Sequence, residues 1–470
     1  MIASLLYKTS PLFYWSRALK YLSEIKLLLN LGFPIAIAQI AQTSMGFVDT
    51  LMAGRFSSTD LAAVSLGSSI WLPIFIACQG ILMATTPMVA HFVGEEKPHQ
   101  ANETLHQGSL IVILLSLCAM FFLHNCAPIL AFMDVEPHLA ALTMEYLAAI
   151  SWGIPALLLY QLIRSYIEGF GKTQPAMKIA VFGLLCNIPL NYLLIYGKLG
   201  FPQLGGVGCG WASAIVMWLM LIVSIIYLTN ASTFKKLSPL NGWKLPEIDA
   251  FKRYVALGLP IGFALLIEVS MFSVIALLIA DLGEIIIASH QITITFTGLV
   301  FMIPLSISFA LTIRVGHQLG AKNAAGAIHS AKAGLIITLS IALISSGLIA
   351  FFAQQIATLY TTDVEIIKIA TTLLTIAAVF QLSDAVQITC SGALRGYKDT
   401  QFPLMLVFIS CWLVGLPTGY VLGKTDLVVT QMGPSGFWIG LLIGLTISAI
   451  LLLSRLKWKS KQTLHASLSI

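Results

Sequence analysis

Apolar segments long enough to cross a bilayer alternate with short polar connections along nearly the whole chain. A membrane helix needs about 20 mostly apolar residues, and twelve segments reach that length. Six lie near 27–54, 61–88, 107–126, 139–162, 178–197 and 207–229, and six near 254–280, 285–313, 331–353, 366–391, 404–423 and 434–455. The pattern predicts an all-α polytopic membrane protein with twelve transmembrane helices.

The second half of the chain repeats the first. Leu257–Pro260 (LGLP) repeats Leu31–Pro34 (LGFP) at an offset of 226, and Val315–Gly320 repeats Val89–Gly94 at the same offset. Because each half contains an even number of spans, both halves enter the membrane from the same side, as parallel repeats do. We therefore expect two six-helix bundles, related by an axis along the membrane normal, around a central cavity.

Basic residues indicate the orientation of these spans. The tails and the loops after every second span contain 22 Lys and Arg, whereas the opposite side contains 4. By the positive-inside rule, both termini are cytoplasmic. The predicted domains are an amphipathic N-tail (1–26), the first bundle (27–229), a cytoplasmic linker (230–253), the second bundle (254–456) and a C-tail (457–470).

Composition excludes several other classes of protein. Hydrophobic residues make up 58% of the chain and charged residues 10%, far from the roughly 25% charged residues of soluble domains. The net charge of +6 comes from Lys and Arg spread between apolar segments, so we expect no nucleic-acid partner. Neither a P-loop nor a GxSxG motif occurs, which argues against ATP-driven transport and hydrolysis. We expect neither an enzyme nor a resident cofactor.

Three carboxylates lie well within spans: Asp49, Glu268 and Asp384. An ionised side chain inside a membrane is costly, so it normally faces a wet cavity or a partner, and it suggests function. Because no Lys or Arg lies well within any span, these carboxyls should be neutral or bound to a cation. The alternative is a structural role, with each acid paired to a buried donor.

Polar side chains accompany two of the acids at helical spacing. Gln42 lies seven residues before Asp49, so both should lie along one helix face. Asn187 and Asn191, one turn apart around Pro189, provide amides for the same site or for hydrogen bonds between helices. On the span of Asp384, the residues that share its face are Phe380, Gln387 and Ser391.

Weaker candidates lie near the outer start of the eighth span and among the aromatic residues. His290 could titrate and Gln291 could bind substrate, although a helix-capping role fits them equally. Six aromatic side chains could line an apolar drug cavity or serve as core residues: Trp71, Phe75, Trp211, Trp218, Phe296 and Phe301.

Three strings carry a family resemblance: QTSMGFVDT (Gln42–Thr50), SIWLP (Ser69–Pro73) and RGYKDT (Arg395–Thr400). From about Leu31 to Trp458 the chain resembles the multidrug and toxic compound extrusion (MATE) family, in particular its NorM-like bacterial branch. The resemblance implies two six-helix bundles facing a central cavity and efflux of organic cations driven by Na⁺ or H⁺.

Matching positions extend the resemblance to individual residues. It implies a monovalent-cation site at Glu268 and Asp384 in the second bundle, and a first-bundle cavity that includes Asp49, Asn187 and Asn191. The NorM-like branch can carry Tyr one turn before the Asp of the tenth span, whereas this chain has Phe380. A hydroxyl that could join a cation shell is therefore absent at this position.

Together these features predict a secondary active exporter in a bacterial inner membrane, which exchanges Na⁺ or H⁺ for cationic amphiphilic drugs. Asp49, Asn187, Asn191, Gln42 and Gln291 are its predicted substrate or proton-binding residues. Its expected partners are organic cations and membrane lipid, and the expected state is a monomer. The alternatives are a flippase for a lipid-linked precursor, which would need a basic cavity, and a non-transporting receptor or scaffold, which would not need three intramembrane acids.

Overall fold

The computed structural model describes residues 11–241 and 247–468, and within these residues it contains helices, turns and loops but no β-strand. The helices of the first half are α1 (Pro11–Phe56), α2 (Ser58–Leu82), α3 (Thr85–Gly94), α4 (Ala101–His124), α5 (Ala127–Phe132), α6 (Pro137–Ser151), α7 (Ile154–Gly169), α8 (Gln174–Tyr196), α9 (Gly206–Asn230) and α10 (Ser232–Leu237). Those of the second half are α11 (Ile248–Leu278), α12 (Glu284–Gly320), α13 (Ala324–Thr358), α14 (Val364–Gly396), α15 (Gln401–Phe408), α16 (Leu416–Lys424) and α17 (Pro434–Leu468). The prediction of an all-α protein is confirmed.

The number of spans matches the apolar pattern. In the described ranges, 11 helices are long and apolar enough to cross a membrane, and the number is 12 when α6 and α7 count as one span bent by 44°. The bend follows from Pro155, which lacks an N–H group, and from Gly153, whose backbone packs closely on Ala214 of α9. The fourth predicted span is therefore a broken helix.

The described helices group into two compact units. The N-unit contains Pro34–Ser270 and Thr400–Leu404, and the C-unit contains residues up to Phe33, Met271–Asp399 and residues from Met405 on. The units thus divide inside α1 and α11, the first helix of each sequence repeat. The predicted domains follow the repeat instead, and they stay a prediction.

The glycine of each repeated LGxP string lies at a close helix contact. A Cβ on Gly32 would lie 2.9 Å from Ile307 of α12, within the C-unit. A Cβ on Gly258 would meet the main-chain oxygen of Ile81 in α2, within the N-unit. The repeat therefore preserves a small residue at a close helix contact in each unit, and at Gly258 the neighbour is rigid backbone.

One central helix organises each unit. In the N-unit, α9 packs against α6, α7 and α8, and in the C-unit α14 packs against α12, α13 and α17. Helix α17 also packs on α16, where Gly440 and Gly419 bring the two backbones together. A π-helical turn, Ile409–Gly415, precedes Pro417 at the start of α16. Because Pro417 lacks an N–H group, the regular α-helical bonding pattern is interrupted at this point.

The tails and the linker extend this arrangement. Residues 1–10 of the predicted N-tail and residues 242–246 of the predicted linker lie outside the described residues. From Pro11, α1 continues without a break into the first span. The linker begins with α10, in which Phe234 is fully buried, and Asn102 Nδ2 donates to the carbonyl of Leu237 at 2.8 Å. The start of the linker is therefore held on the N-unit.

Candidate functional site

Asp49 of α1 lies at the centre of a buried polar cluster in the N-unit. Its Oδ1 accepts hydrogen bonds from Asn187 Nδ2 at 3.0 Å and from Asn191 Nδ2 at 2.6 Å, and its Oδ2 accepts one from Ser213 Oγ at 2.7 Å. The Asp49 side chain is buried, and both asparagines are fully buried. The structure thus brings together the acid and the two amides that the sequence placed on separate spans.

The two asparagines are prearranged by their spacing on α8. Residues four apart lie one above the other on a helix face, and Asn191 Nδ2 also donates to Asn187 Oδ1 at 3.1 Å. Both hydrogens of the Asn191 amide are thereby used. Its Oδ1 is buried and accepts no hydrogen bond from the residues that the structure describes. A buried acceptor without a donor is costly, so this oxygen suits a cation or a water molecule.

The charge at this cluster is not balanced by a basic residue. In the described part of the chain, the side chains that hydrogen-bond to the Asp49 carboxylate are two amides and a hydroxyl, and none of the ion pairs includes Asp49. Neutral donors stabilise an ionised carboxylate without removing its charge. The arrangement can therefore bind and release a small cation.

Gln42, which the sequence placed on the face of Asp49, has a different partner. Its Oε1 accepts a hydrogen bond from Arg164 Nη1 at 2.9 Å, and Arg164 Nε donates to Glu168 at 2.7 Å in a buried i,i+4 pair. The structure therefore places Gln42 in a second network of the N-unit, two turns along α1 from Asp49. Its proposed role in substrate or proton binding stays a prediction.

Asp384 lies in the C-unit, on the central helix α14, where it is buried. Its neighbour Ser383 hydrogen-bonds to Thr446 of α17 at 2.8 Å. One turn earlier, the Phe380 ring is buried against Trp438, with ring centroids 5.8 Å apart. The position at which the MATE resemblance allows a tyrosine hydroxyl is therefore filled by a buried apolar ring.

Glu268 lies in the N-unit part of α11 and is half-buried. Glu268 belongs to the N-unit and Asp384 to the C-unit. A cation site that contains both residues therefore stays a prediction. Among the described residues, no group of three His, Cys, Asp or Glu side chains could hold a metal ion. Oxygen ligands at these acids would therefore include amides, hydroxyls, main-chain carbonyls or water.

His290 and Gln291 lie inside α12, so the capping alternative is wrong for both. His290 is buried, and its Nδ1 accepts a hydrogen bond from Trp438 Nε1 at 3.1 Å. Gln291 is exposed and donates to Thr295 at 3.5 Å. Binding of substrate by Gln291 stays a prediction.

The sequence did not identify Ser213 as part of the site. It lies on α9 among apolar residues, one turn after Cys209, whose Sγ donates to the main-chain oxygen of Asp49 at 3.5 Å. The available signal was this spacing, since Cys209 and Ser213 share the helix face that meets α1. A single serine in an apolar span is too common a feature to be distinguished by sequence alone.

The two sequence repeats also match a known family. A family model described as MatE matches residues 34–193 and 260–421. The chain belongs to the MatE family. The matched segments begin at Pro34 and Pro260, the prolines of the repeated LGxP strings, so the inference of two related halves is confirmed. The site around Asp49, Asn187 and Asn191 lies within the first MatE segment.

Curated MatE relatives extend over nearly the whole chain. The chain is 46% identical to the "Multidrug resistance protein NorM" of Photobacterium profundum over 438 residues, which cover 93% of this chain and 96% of the relative. It is also 46% identical to the "Multidrug resistance protein MdtK" of Proteus mirabilis over 446 residues, 94% of this chain and 97% of the relative. The resemblance to the NorM-like branch is confirmed.

A solved MatE-type structure has the same fold. The crystal structure of the eukaryotic MATE transporter AtDTX14 superposes with a TM-score of 0.84, covering 95% of this chain and 99% of the other, at 17% sequence identity. At that identity the likeness concerns the fold alone. It supports the prediction of a two-bundle all-α membrane protein.

Proposed function

We propose that this MatE protein is a secondary active multidrug exporter, which exchanges Na⁺ or H⁺ for cationic amphiphilic compounds. The observation that carries the proposal is the buried Asp49 carboxylate, bonded to uncharged donors and adjacent to an Asn191 oxygen that accepts no hydrogen bond from the described residues. The names of the NorM and MdtK relatives, both called multidrug resistance proteins, support export of drugs. The protein is on this basis a transporter rather than an enzyme.

Competition at a carboxylate provides the coupling. A bound H⁺ or Na⁺ neutralises Asp49, which removes the attraction for a cationic substrate, and release of the ion restores that attraction. One pH unit supplies about 1.4 kcal/mol, and 100 mV supplies about 2.3 kcal/mol per charge. Either gradient is large enough to concentrate a solute about tenfold or more.

The acids outside the Asp49 cluster would contribute a second cation site. Asp384 is buried on the central helix of the C-unit, and Glu268 lies on α11, the helix that begins the second repeat. Both are the intramembrane acids that the MATE resemblance assigns to ion binding. In this proposal Asp384 and Glu268 bind the coupling ion. Asp49, held by its two amides, binds either the ion or the cationic substrate.

The proposed setting is the inner membrane of a bacterium, with both termini in the cytoplasm and the protein acting as a monomer. The relatives come from bacteria, which supports the assignment to a bacterial inner membrane. The distribution of Lys and Arg supports the placement of both termini in the cytoplasm. Small organic cations are the transported partners.

Transport in proteoliposomes tests the proposal directly. Purified protein would be reconstituted with ethidium inside, and a Na⁺ gradient or a pH gradient would be imposed separately. We expect ethidium movement with one of the two gradients and none without a gradient. Absence of ion-dependent movement with either gradient, for several cationic dyes, would contradict the proposal.

Three variants, one of them a control, connect the activity to the site. Asp49→Asn and Asp384→Asn should each abolish ion-driven efflux while the protein still folds. Asp134→Asn removes the same charge from an exposed loop position with φ 51°, a conformation that Asn tolerates, and it should leave efflux unchanged. Wild-type efflux by Asp49→Asn would refute the assignment of this cluster.

A further inference from the structure

The last helix, α17, continues well beyond the apolar segment that crosses the membrane. It comprises 35 residues, whereas its uninterrupted uncharged segment ends at Ser454. At 1.5 Å per residue, the helix is about 52 Å long, compared with a hydrocarbon core of about 30 Å. The residues from Arg455 on therefore extend α17 into and past the lipid headgroups.

This extension is held in place on one face. Arg455 Nε donates to Asp399 at 2.8 Å, and Ser460 Oγ hydrogen-bonds to the Tyr397 hydroxyl at 3.1 Å. Leu456 is buried on the same side. The helix is thus fixed to the C-unit just beyond the membrane, and its opposite face has a defined orientation.

The opposite face is basic and aromatic. Lys457 and Lys461, one turn apart, are exposed, and Trp458 between them is 50% exposed. The Arg455 guanidinium lies over the Trp458 ring, 4.4 Å from its centroid, which fixes the indole. We call Lys457, Trp458 and Lys461 the basic face.

Helix α17, which carries the basic face, contains no acidic residue. No Asp or Glu follows Asp426 in the sequence, and in the described residues neither lysine forms an ion pair. The two lysines are separated by about 6 Å along the helix axis, close to the thickness of the headgroup layer at one surface. Tryptophan is enriched at that same depth in membrane proteins.

We propose that the basic face binds the headgroups of anionic phospholipids in the leaflet at which α17 leaves the membrane. The lysine ammonium groups pair with lipid phosphates, and the Trp458 ring lies at the boundary between headgroups and acyl chains. Because the face is anchored through Arg455 and Ser460, a bound lipid also stabilises the C-unit. This surface lies outside the proposed transport site and does not depend on the transport function.

The test uses the full-length protein, delipidated in a neutral detergent and titrated with phosphatidylglycerol or with phosphatidylcholine of the same acyl chains. Native mass spectrometry counts the lipids that stay bound. We expect the wild type to prefer phosphatidylglycerol, and the variant Lys457→Gln/Lys461→Gln to lose about tenfold or more in affinity for it. Equal uptake of the two lipids by the wild type would overturn the proposal.

Two further variants separate a specific surface from net charge. Lys235→Gln/Lys236→Gln removes the same charge from exposed positions of α10 and should leave lipid affinity unchanged. Lys457→Arg/Lys461→Arg retains the charge and should bind like the wild type, which also checks that changes here leave the fold intact. An equal loss in the α10 variant, or a loss in the arginine variant, would contradict the proposal.

Discussion

Asn191 donates to Asp49 at 2.6 Å and, with the other hydrogen of the same amide, to Asn187 at 3.1 Å. The acid and the two amides are therefore one unit, because displacement of any member breaks a bond of another. Ser213 completes the set on the second carboxylate oxygen. The affinity of Asp49 for a cation should thus depend on residues that carry no charge.

The first prediction concerns Ser213→Ala. A hydrogen bond to a charged group contributes about 1.5–3 kcal/mol, so its loss changes the affinity of Asp49 for the coupling ion. An energy of that size corresponds to about tenfold or more in the ion concentration that gives half-maximal efflux. The measurement is the initial rate of dye efflux from proteoliposomes at a series of pH values.

Two companion variants control this measurement. Ser213→Thr retains the hydroxyl and should restore the wild-type profile. Ser224→Ala, on the same helix, removes a buried hydroxyl that donates to the carbonyl of Met220 at 2.7 Å, away from Asp49. An equal shift in Ser224→Ala would mean that the effect comes from α9 as a whole.

The second prediction concerns a partly buried ion pair that holds the first part of α1 in the C-unit. Arg314 donates to both oxygens of Glu24, at 2.7 and 3.0 Å, and Ser330 donates to Glu24 at 2.5 Å. Glu24→Gln removes the negative charge that faces this guanidinium, and a hydrogen bond to a charged group contributes about 1.5–3 kcal/mol. We expect a lower thermal midpoint in detergent and normal stability for Glu95→Gln, whose pair with Lys97 is long, at 3.8 Å, and exposed.

Sequence reasoning worked where a feature repeats along the chain. The twelve spans and the two halves follow from apolar length and from repeated strings such as LGFP and LGLP, which recur at constant offset. The pairing of Asn187 and Asn191 with Asp49 was also accessible, because i,i+4 spacing places both amides on one face and a buried acid needs donors.

Other features depend on contacts between distant segments, which no local pattern records. The division of α1 between the two units at Phe33 is accompanied by no change in composition. Ser213 and Gln42 are both single polar residues in apolar spans, yet one contacts Asp49 and the other Arg164. Only the packing of α9 and α7 against α1 distinguishes them.

The third prediction concerns the close contact of α16 and α17. A Cβ on Gly440 would overlap the backbone of Gly419, which cannot move as a flexible side chain can. Overpacking of this kind costs about 1–3 kcal/mol, so Gly440→Ala should lower the thermal midpoint of the protein. Gly347→Ala, in α13 with no described atom within 4 Å of the new Cβ, should be neutral or slightly stabilising. Equal midpoints for the two variants would contradict this packing.

The fourth prediction distinguishes two roles for Gln42. Its Oε1 accepts from Arg164, which is buried and paired with Glu168, so Gln42→Ala leaves one guanidinium donor unsatisfied at a cost of about 1–3 kcal/mol. If Gln42 serves this network, the variant loses thermal stability, and the ion dependence of transport per folded molecule stays at the wild-type value. If Gln42 itself binds substrate or proton, the apparent ion affinity changes in Gln42→Ala but stays at the wild-type value in Glu168→Gln, which disturbs the Arg164 network without altering Gln42. A change of ion affinity in both variants would mean that the Arg164 network positions α1, the helix on which Asp49 lies.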